Sequence, residues 1–177
     1  MSTFLITGSN RGIGLELSNQ LFKQGHKVIA TCRESSKSLE RIGVQVVEGV
    51  DISSENSLIK LQDNIKGIKL DCIINNAGIA QYNSLENLDL ESIKNQFNIN
   101  ALSPLNFSKS MIKYLNFNSK IAFITSRMGS ISDNTSGSSY GYRMSKVALT
   151  MAAKSLSVDL LKKNIFVAII HPGLVST

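Results

Sequence analysis

The chain has 177 residues, of which 42% are hydrophobic, and a formal net charge of +6. These values, with no low-complexity tract, predict one globular domain over residues 1–177. We expect no membrane association, because no apolar run approaches the roughly 18 residues of a membrane helix and the N-terminus lacks a signal-peptide pattern. No run of lysines and arginines concentrates the positive charge, which indicates a solvated surface and no nucleic-acid partner.

The cysteines and histidines predict neither a disulfide nor a metal site. Cys32 and Cys72 lie inside apolar runs, so we expect reduced core residues and a cytoplasmic location. His26 and His171 are far apart in the sequence, so we expect no metal-ligand cluster.

Short apolar runs rich in β-branched residues alternate with helical patterns along the chain. The runs predict strands at 3–7, 27–32, 44–47, 70–74, 120–125 and 165–170. The helical patterns cover 12–24, 54–65, 89–97, 101–115 and 144–163. Because the strands are almost continuously hydrophobic, both their faces should be covered. The alternation predicts an α/β fold with a doubly wound parallel sheet.

The first strand is followed by a glycine-rich turn, TGSNRGIG, and then by a helix. Gly8, Gly12 and Gly14 stand where the strand must turn sharply and let its backbone approach a ligand. Amides at the start of the next helix would face a phosphate anion. The same glycines also suit a plain tight connection, but their position after the first strand favours dinucleotide binding.

Five motifs occur in a fixed order over nearly the whole chain: TGSNRGIG, NNAG, ITSRMG, YRMSK and HPGLVST. In this order they resemble the short-chain dehydrogenase/reductase family, and ITSRMGSISDNTSGSSYGYRMSK is most similar to its branch of sniffer-type carbonyl reductases and C-factor-like proteins. The resemblance implies a Rossmann fold and an NADP(H)-dependent oxidoreductase that moves a hydride between nicotinamide and a carbonyl or alcohol substrate. Relatives usually continue into a substrate-covering helix pair and a seventh strand, which we expect this chain to lack.

Two tyrosines stand close together in SSYGYRMSK, but only Tyr142 is followed by a lysine four residues on. On a helix this spacing places Lys146 beside Tyr142. A cation about 4 Å away at an effective dielectric near 20 is worth up to ~4 kcal/mol, or about three pKa units. We therefore expect Lys146 to lower the pKa of the Tyr142 phenol. By the resemblance, Tyr142 is the general acid in carbonyl reduction and the base in alcohol oxidation.

The resemblance assigns the other catalytic roles. Ser126 matches the serine that holds the substrate oxygen, whereas Thr125 should point to the other face of its strand. Asn100 matches the residue that supports a proton relay through Lys146, although it also suits a helix end or kink. Lys146 would in addition hydrogen-bond the nicotinamide ribose. The long segment GSISDNTSGSS predicts a loop over the site.

The resemblance also implies the contacts to the cofactor. They come from the glycine-rich turn, the ends of the next three strands, the Tyr-Lys pair and the last motif: Gly8, Asn10, Arg11, Gly12, Ile13, Gly14, Arg33, Asp51, Asn75, Ala77, Gly78, Tyr142, Lys146, Pro172, Gly173, Val175 and Thr177. Asp51 would meet the adenine ring, although it equally suits a cap for the next helix. Residues 75–78 would pass the adenosine ribose, and they also suit a turn that ends a strand.

The choice between NADP and NAD depends on the end of the second strand. NAD would require an acidic residue about 20 residues beyond the glycines. The chain has Arg33 there and Arg11 in the turn, and guanidinium groups pair well with phosphate oxygens. We therefore expect NADP, with NAD possible because Glu34 follows Arg33.

Two other functions fit parts of the sequence. Ser139, Asp159 and His171 occur in the order of an α/β-hydrolase triad, but a nucleophile elbow needs a strand directly before the serine, where this chain has a loop. Residues 110–113 match S-x-x-K inside a helical pattern. A dinucleotide-binding regulatory or signalling protein with little turnover also stays open. The family's habit of pairing helices suggests a homodimer or homotetramer.

Overall fold

In the computed structural model, which describes residues 1–173 and 175, the strands form one parallel sheet. The described strands are β1 (Thr3–Thr7), β2 (Lys27–Thr31), β3 (Gln45–Val47), β4 (Leu70–Asn75), β5 (Leu115–Ile124) and β6 (Phe166–Ile170). Their order is β3-β2-β1-β4-β5-β6, and every neighbouring pair is parallel. Each predicted strand is present, which confirms the doubly wound parallel sheet of a Rossmann fold.

The helices lie between these strands. Their bounds are α1 (Gly12–Lys23), α2 (Lys37–Glu40), α3 (Glu55–Asn64), α4 (Leu90–Phe97), α5 (Ser103–Met111) and α6 (Tyr140–Leu160). A π-helical segment, Asn98–Leu102, joins α4 to α5 without a break, where the sequence predicts two separate helices over 89–97 and 101–115. The short helix α2 was not predicted.

Helix α6 begins at Tyr140, four residues before the predicted start, and it includes Gly141 in its first turn. At this position α6 crosses α4 closely. A Cβ on Gly141 would lie 2.5 Å from the Gln96 Nε2 atom and 3.1 Å from the Ile93 Cα atom. The absence of a side chain at Gly141 therefore sets the distance between the two helices.

The core consists of two layers, one on each face of the sheet. Ile29, Leu5, Ile73 and Ile121 are aligned across four neighbouring strands and are almost completely buried. Successive residues of a strand point to opposite faces, so the next residues along these strands form the second layer. Side chains from α3, α5 and α6 pack on the first layer, and those from α1 and α2 pack on the second.

The parallel arrangement brings the predicted motifs to one edge of the sheet. Gly8 follows β1, the NNAG turn ends β4, Ser126 follows β5 and His171 follows β6, all at the carboxyl ends of the strands. This edge is where open α/β sheets bind their ligands. Among the described helices none is long and apolar enough to cross a membrane.

We expect Ile73→Ala to lower the free energy of unfolding by about 2–5 kcal/mol, because it removes a fully buried side chain from the central strand and leaves a cavity. Ile59→Ala is the matched control, since that side chain is 52% exposed on α3. Urea denaturation followed by circular dichroism measures both. Equal losses in the two variants would contradict the described core.

Candidate active site

The glycine-rich turn adopts a conformation that only glycine adopts without strain. Gly8 and Gly12 have φ angles of +67° and +56°, in the left-handed region. A Cβ on Gly8 would lie 2.9 Å from the Ala77 Cα atom, and a Cβ on Gly14 would collide with the Gly8 carbonyl oxygen. No side chain caps the start of α1, so its first amides remain able to bind a phosphate.

Hydrogen bonds that the sequence did not reveal fasten this turn to the end of β4. The Asn76 Nδ2 atom donates to the carbonyl oxygens of Thr7 and Gly8, at 3.0 Å each. In return the Thr7 Oγ1 atom accepts from the backbone amides of Asn76 and Ala77, at 3.1 Å each. Thr7, a polar residue directly before Gly8, was the sequence signal that could have indicated hydrogen bonds to a neighbouring turn.

Asn75, the predicted neighbour of the ribose, has its side chain inside the protein. It is 3% exposed, and its Nδ2 atom donates to the Ser108 Oγ atom of α5 at 2.9 Å. Only the backbone of Asn75 is therefore placed to follow a ligand along the turn. Ala77 is half-buried and Gly78 is exposed in the same turn, and their contact with the cofactor stays a prediction.

The corner beyond β2 and β3 brings a cation and a carboxylate together. The Asp51 Oδ1 atom accepts from the backbone amide and the hydroxyl of Ser53, at 2.8 and 2.7 Å. The Ser53 hydroxyl is the main cause that lowers the pKa of Asp51, and the charge of Arg33 lowers it further. Ser54, not Asp51, caps α3. The alternative role of Asp51 as a helix cap is therefore wrong, and its carboxylate lies near Arg33 instead.

Both predicted phosphate-binding arginines are exposed at this corner. Arg11 and Arg33 extend from the glycine-rich turn and from the end of β2. The turn is held to the segment after β2 because the Ser36 hydroxyl donates to the Asn10 carbonyl oxygen at 2.7 Å. Ile13, in the first turn of α1, is half-buried.

Tyr142 and Lys146 lie side by side on α6, as their spacing predicts. The Lys146 Nζ atom is 5.6 Å from the centre of the Tyr142 ring and donates to the Ile124 carbonyl oxygen at 3.0 Å. Burial lowers the pKa of Lys146 to about 8. Tyr140, by contrast, points to a different face of α6 and lines a cavity beside the loop that precedes the helix.

The expectation that Lys146 lowers the pKa of Tyr142 is wrong for this arrangement. Burial raises the pKa of the half-buried Tyr142 phenol, and a hydrogen bond with Ser126 lowers it by less. The Lys146 ammonium is directed at the Ile124 carbonyl oxygen and not at the phenol oxygen. Tyr142 therefore stays protonated at neutral pH.

Ser126 lies two residues beyond the end of β5, where its hydroxyl is close enough to the Tyr142 phenol to lower the pKa of that phenol. The Ser126 Oγ atom also accepts from the Met128 backbone amide at 3.2 Å, which fixes the serine rotamer. The Thr125 side chain points away from Tyr142. Its Oγ1 atom is 3.3 Å from the Thr150 Oγ1 atom, and Thr150 lies about two helical turns after Tyr142 on α6.

Asn100 lies in the π-helical segment and is completely buried. Its Oδ1 atom accepts from the Ile79 amide at 2.8 Å, and its Nδ2 atom donates to the Ile79 carbonyl oxygen at 2.8 Å and to the Ser145 hydroxyl at 3.0 Å. A Cβ on Gly78 would lie 3.0 Å from the Asn100 Oδ1 atom and 3.7 Å from the Lys146 Nζ atom. Asn100 thus joins the β4 turn to the helix that carries Tyr142 and Lys146.

The last motif follows β6 at the same edge. The His171 Nδ1 atom accepts from the Arg127 backbone amide at 3.3 Å. Pro172, Gly173 and Val175 are exposed beyond it. Thr177, also predicted to touch the cofactor, lies outside the described residues.

The comparisons agree with this geometry. Residues 2–177 match the family described as short chain dehydrogenase. The chain belongs to the short-chain dehydrogenase family. Family members are oxidoreductases that act on alcohol and carbonyl groups, and this activity class applies to the chain.

Relatives and solved structures are similar over nearly the whole chain. A 1-hydroxy-2-glutathionyl-2-methyl-3-butene dehydrogenase from Rhodococcus sp. (strain AD45) is 38% identical over 100% of this chain and 79% of its own length. Carbonyl reductase Sniffer of D. melanogaster superposes with a TM-score of 0.86 at 28% identity, covering 98% of this chain and 81% of that one. NADPH-bound carbonyl reductase from chicken fatty liver gives 0.85 at 27% identity, covering 98% and 79%.

The hydrolase alternative does not fit this short-chain dehydrogenase. Ser139 is buried where α6 begins, and a loop precedes it instead of a strand. Asp159 lies at the other end of α6, about 30 Å away at 1.5 Å per residue. In the S-x-x-K match, the Lys113 Nζ atom donates to Gln62 at 2.9 Å and not to Ser110. Neither set can act as a nucleophile with its base.

We expect the stability difference between the wild type and Lys146→Met to depend on pH. The pKa of Lys146 falls from 10.5 to about 8 on folding, so burial of its charge costs stability fully below pH 8. This cost declines as pH rises from about 8 towards 10.5, and the wild type should gain about 3 kcal/mol relative to the variant. Urea titrations at several pH values, with exposed Lys154→Met as control, measure it. A difference that stays constant over this range would contradict a buried ammonium.

Proposed function

We propose that this chain reduces a carbonyl compound with NADPH, and oxidises the alcohol in reverse, with Tyr142 as the general acid and base. The observation that carries the proposal is the placement of the Tyr142 phenol against Ser126 and beside Lys146, where the carboxyl ends of the strands meet. Bound NADPH supplies the hydride that reaches the carbonyl carbon. The protein's own side chains hold the carbonyl oxygen and deliver its proton.

The protonation state of Tyr142 favours its role as an acid. Since burial raises its pKa, the phenol holds its proton at neutral pH and donates it to the carbonyl oxygen. The Ser126 hydroxyl, fixed by the Met128 amide, holds that oxygen in place. Hydrogen-bond donors fixed in advance stabilise the negative charge that develops on the oxygen without costly rearrangement.

Lys146 supports the proton donor after the transfer. Its pKa of about 8 lets Lys146 give up and regain a proton near neutral pH, so that it can pass a proton to the tyrosinate left behind. The proton then returns to Tyr142 through Lys146 and the polar groups around Asn100, whose side chain joins the β4 turn to α6.

The residues around the glycine-rich turn fit NADPH. The closeness of Gly8 and Gly14 to neighbouring backbone leaves no room for side chains, and the uncapped start of α1 suits the pyrophosphate. The exposed Arg33 would bind the 2′-phosphate with Arg11, while Asp51 meets the adenine. The carbonyl reductase from chicken fatty liver was solved with NADPH bound, which supports this choice.

The substrate is a small alcohol or carbonyl compound in this proposal. The relative from Rhodococcus acts on a glutathione-substituted alcohol, and the solved structures above are carbonyl reductases. A panel should therefore include simple aldehydes, ketones and thioether-linked conjugates.

Cys32 and Cys72 are buried and free, which supports the proposed cytoplasmic location. A homodimer or homotetramer stays a prediction.

We expect Tyr142→Phe to reduce the rate of NADPH-dependent carbonyl reduction by about 10²–10⁴-fold, the usual contribution of a positioned acid. The phenylalanine keeps the ring and its packing but lacks the exchangeable proton. Steady-state rates measured by NADPH absorbance test this, and NADPH affinity measured by calorimetry should change little.

Tyr140→Phe is the matched control, since Tyr140 lies on the same helix but lines the neighbouring cavity. It should keep nearly the full rate. Loss of turnover in Tyr140→Phe with activity kept in Tyr142→Phe would show that the wrong tyrosine has been named. A wild type that binds NADPH but reduces no compound of the panel would favour a regulatory protein.

We expect the chain to bind NADPH more tightly than NADH, and Arg33→Asp to remove or reverse that preference. Loss of two hydrogen bonds to a charged phosphate costs roughly 3 kcal/mol, about a hundredfold in Kd. Calorimetric titrations with both cofactors measure the effect, with Arg41→Asp at the end of α2 as the charge-matched control. Equal affinity of the wild type for the two cofactors would refute it.

A further inference from the structure

The loop between β5 and α6, residues 130–139, has little packing to support it. Residues 131–138 are all exposed. The loop lies beside a cavity of about 450 Å³, whose other wall includes Met144, Val147 and Ala148 of α6. Since no side chain from 131 to 138 is buried in the core, the shape of the loop depends on its polar contacts.

The last three residues of this loop have an unusual backbone. Gly137, Ser138 and Ser139 have φ angles of +64°, +52° and +52°, so three consecutive residues are left-handed and two of them carry a side chain. Non-glycine residues adopt this region at a cost and keep it only where their surroundings hold them. Ser139 precedes α6 but its side chain does not cap the helix. Another group must hold the turn.

Arg143 provides the contacts that hold it. Its Nε atom donates to the carbonyl oxygens of Gly137 and Ser138, at 3.2 Å each, and its Nη2 atom donates to the Ser136 hydroxyl at 2.9 Å. Arg143 stands in the first turn of α6, where a positive charge opposes the helix dipole. The Arg143 charge therefore does not stabilise the start of α6, and two of its three guanidinium nitrogens donate to the loop instead.

The left-handed turn is also attached to the segment that follows β4. The backbone amide of Ser139 donates to the Asn83 carbonyl oxygen at 2.7 Å, and Asn83 belongs to the segment that continues from the NNAG turn. Tyr142 follows Ser139 by three residues, so the turn determines where α6 begins and where its phenol is placed. We propose that Arg143 is a positioning residue, which holds the left-handed turn and thereby keeps Tyr142 against Ser126.

This inference rests on the proposed function for its catalytic consequence, but the contact itself can be tested without activity. In Arg143→Met, hydrogen–deuterium exchange in a peptide covering 130–141 should be about tenfold faster, because loss of a local hydrogen-bond network promotes local opening. Arg143→Lys should show nearly the same effect, since one ammonium cannot replace a guanidinium that contacts three groups. Arg41→Met is the control.

The rate measurement separates positioning from general structure. A misplaced acid should lower kcat for carbonyl reduction by about 10–100-fold, while KM for NADPH stays within about twofold because the glycine-rich turn is untouched. Burial raises the pKa of Tyr142, so water that enters around the phenol should lower that pKa. Reduction needs the protonated phenol, so the loss of rate at alkaline pH should begin at lower pH in Arg143→Met than in the wild type.

A second substitution tests the role of the left-handed backbone. Glycine adopts this conformation without a Cβ penalty, so Ser138→Gly combined with Arg143→Met should recover at least about threefold of the lost rate. Unchanged exchange in Arg143→Met, or faster exchange with an unchanged kcat, would overturn the proposal. If the wild type reduces no substrate, the proposed function fails, and the exchange measurement alone decides whether Arg143 holds the loop.

Discussion

The hydroxyl of Thr7, at the end of β1, accepts hydrogen bonds from two backbone amides of the turn after β4. The side-chain amide of Asn76, in that turn, donates hydrogen bonds to the carbonyl oxygens of Thr7 and Gly8. β1 and β4 are the neighbours at which the strand order reverses, so the chain must bring together two segments nearly 70 residues apart at this point. These four hydrogen bonds hold the glycine-rich turn and the turn after β4 together.

On the other half of the sheet, Lys146 combines two roles that conflict energetically. Neither salt bridge in the described part of the chain includes it, and its ammonium depends on the Ile124 carbonyl oxygen inside a mostly apolar layer. Burying such a charge destabilises the fold. The same burial places a cation next to the Tyr142 ring without a carboxylate to neutralise it. The burial of Lys146 thus lowers stability while it provides the cation that the proposed acid–base chemistry uses.

The fold could be predicted because its strands are buried on both faces and its helices are amphipathic, patterns that depend only on local sequence. The pairing of Tyr142 with Lys146 was predictable for the same reason, since helix geometry fixes the distance between positions i and i+4. The pKa of Tyr142 was not, because its direction depends on how deeply the phenol is buried and on where the Lys146 ammonium points. Both facts come from packing between α6 and β5. Asn76 escaped notice because its partners are backbone carbonyls far away in the sequence.

The π-helical segment between α4 and α5 limits which insertions and deletions this part of the chain can accept. A π turn holds one more residue than an α turn, so the helices before and after it are out of phase by about 100°, the rotation of one residue. That offset lets Asn100 face Ile79 and Ser145 while both flanking helices keep their own apolar sides against the protein. Removal of a single residue there would restore a regular helix and turn the asparagine out of the interior. Loops elsewhere in the chain can accommodate insertions and deletions. Over residues 98–102, by contrast, the loss or gain of one residue would displace Asn100 from its partners.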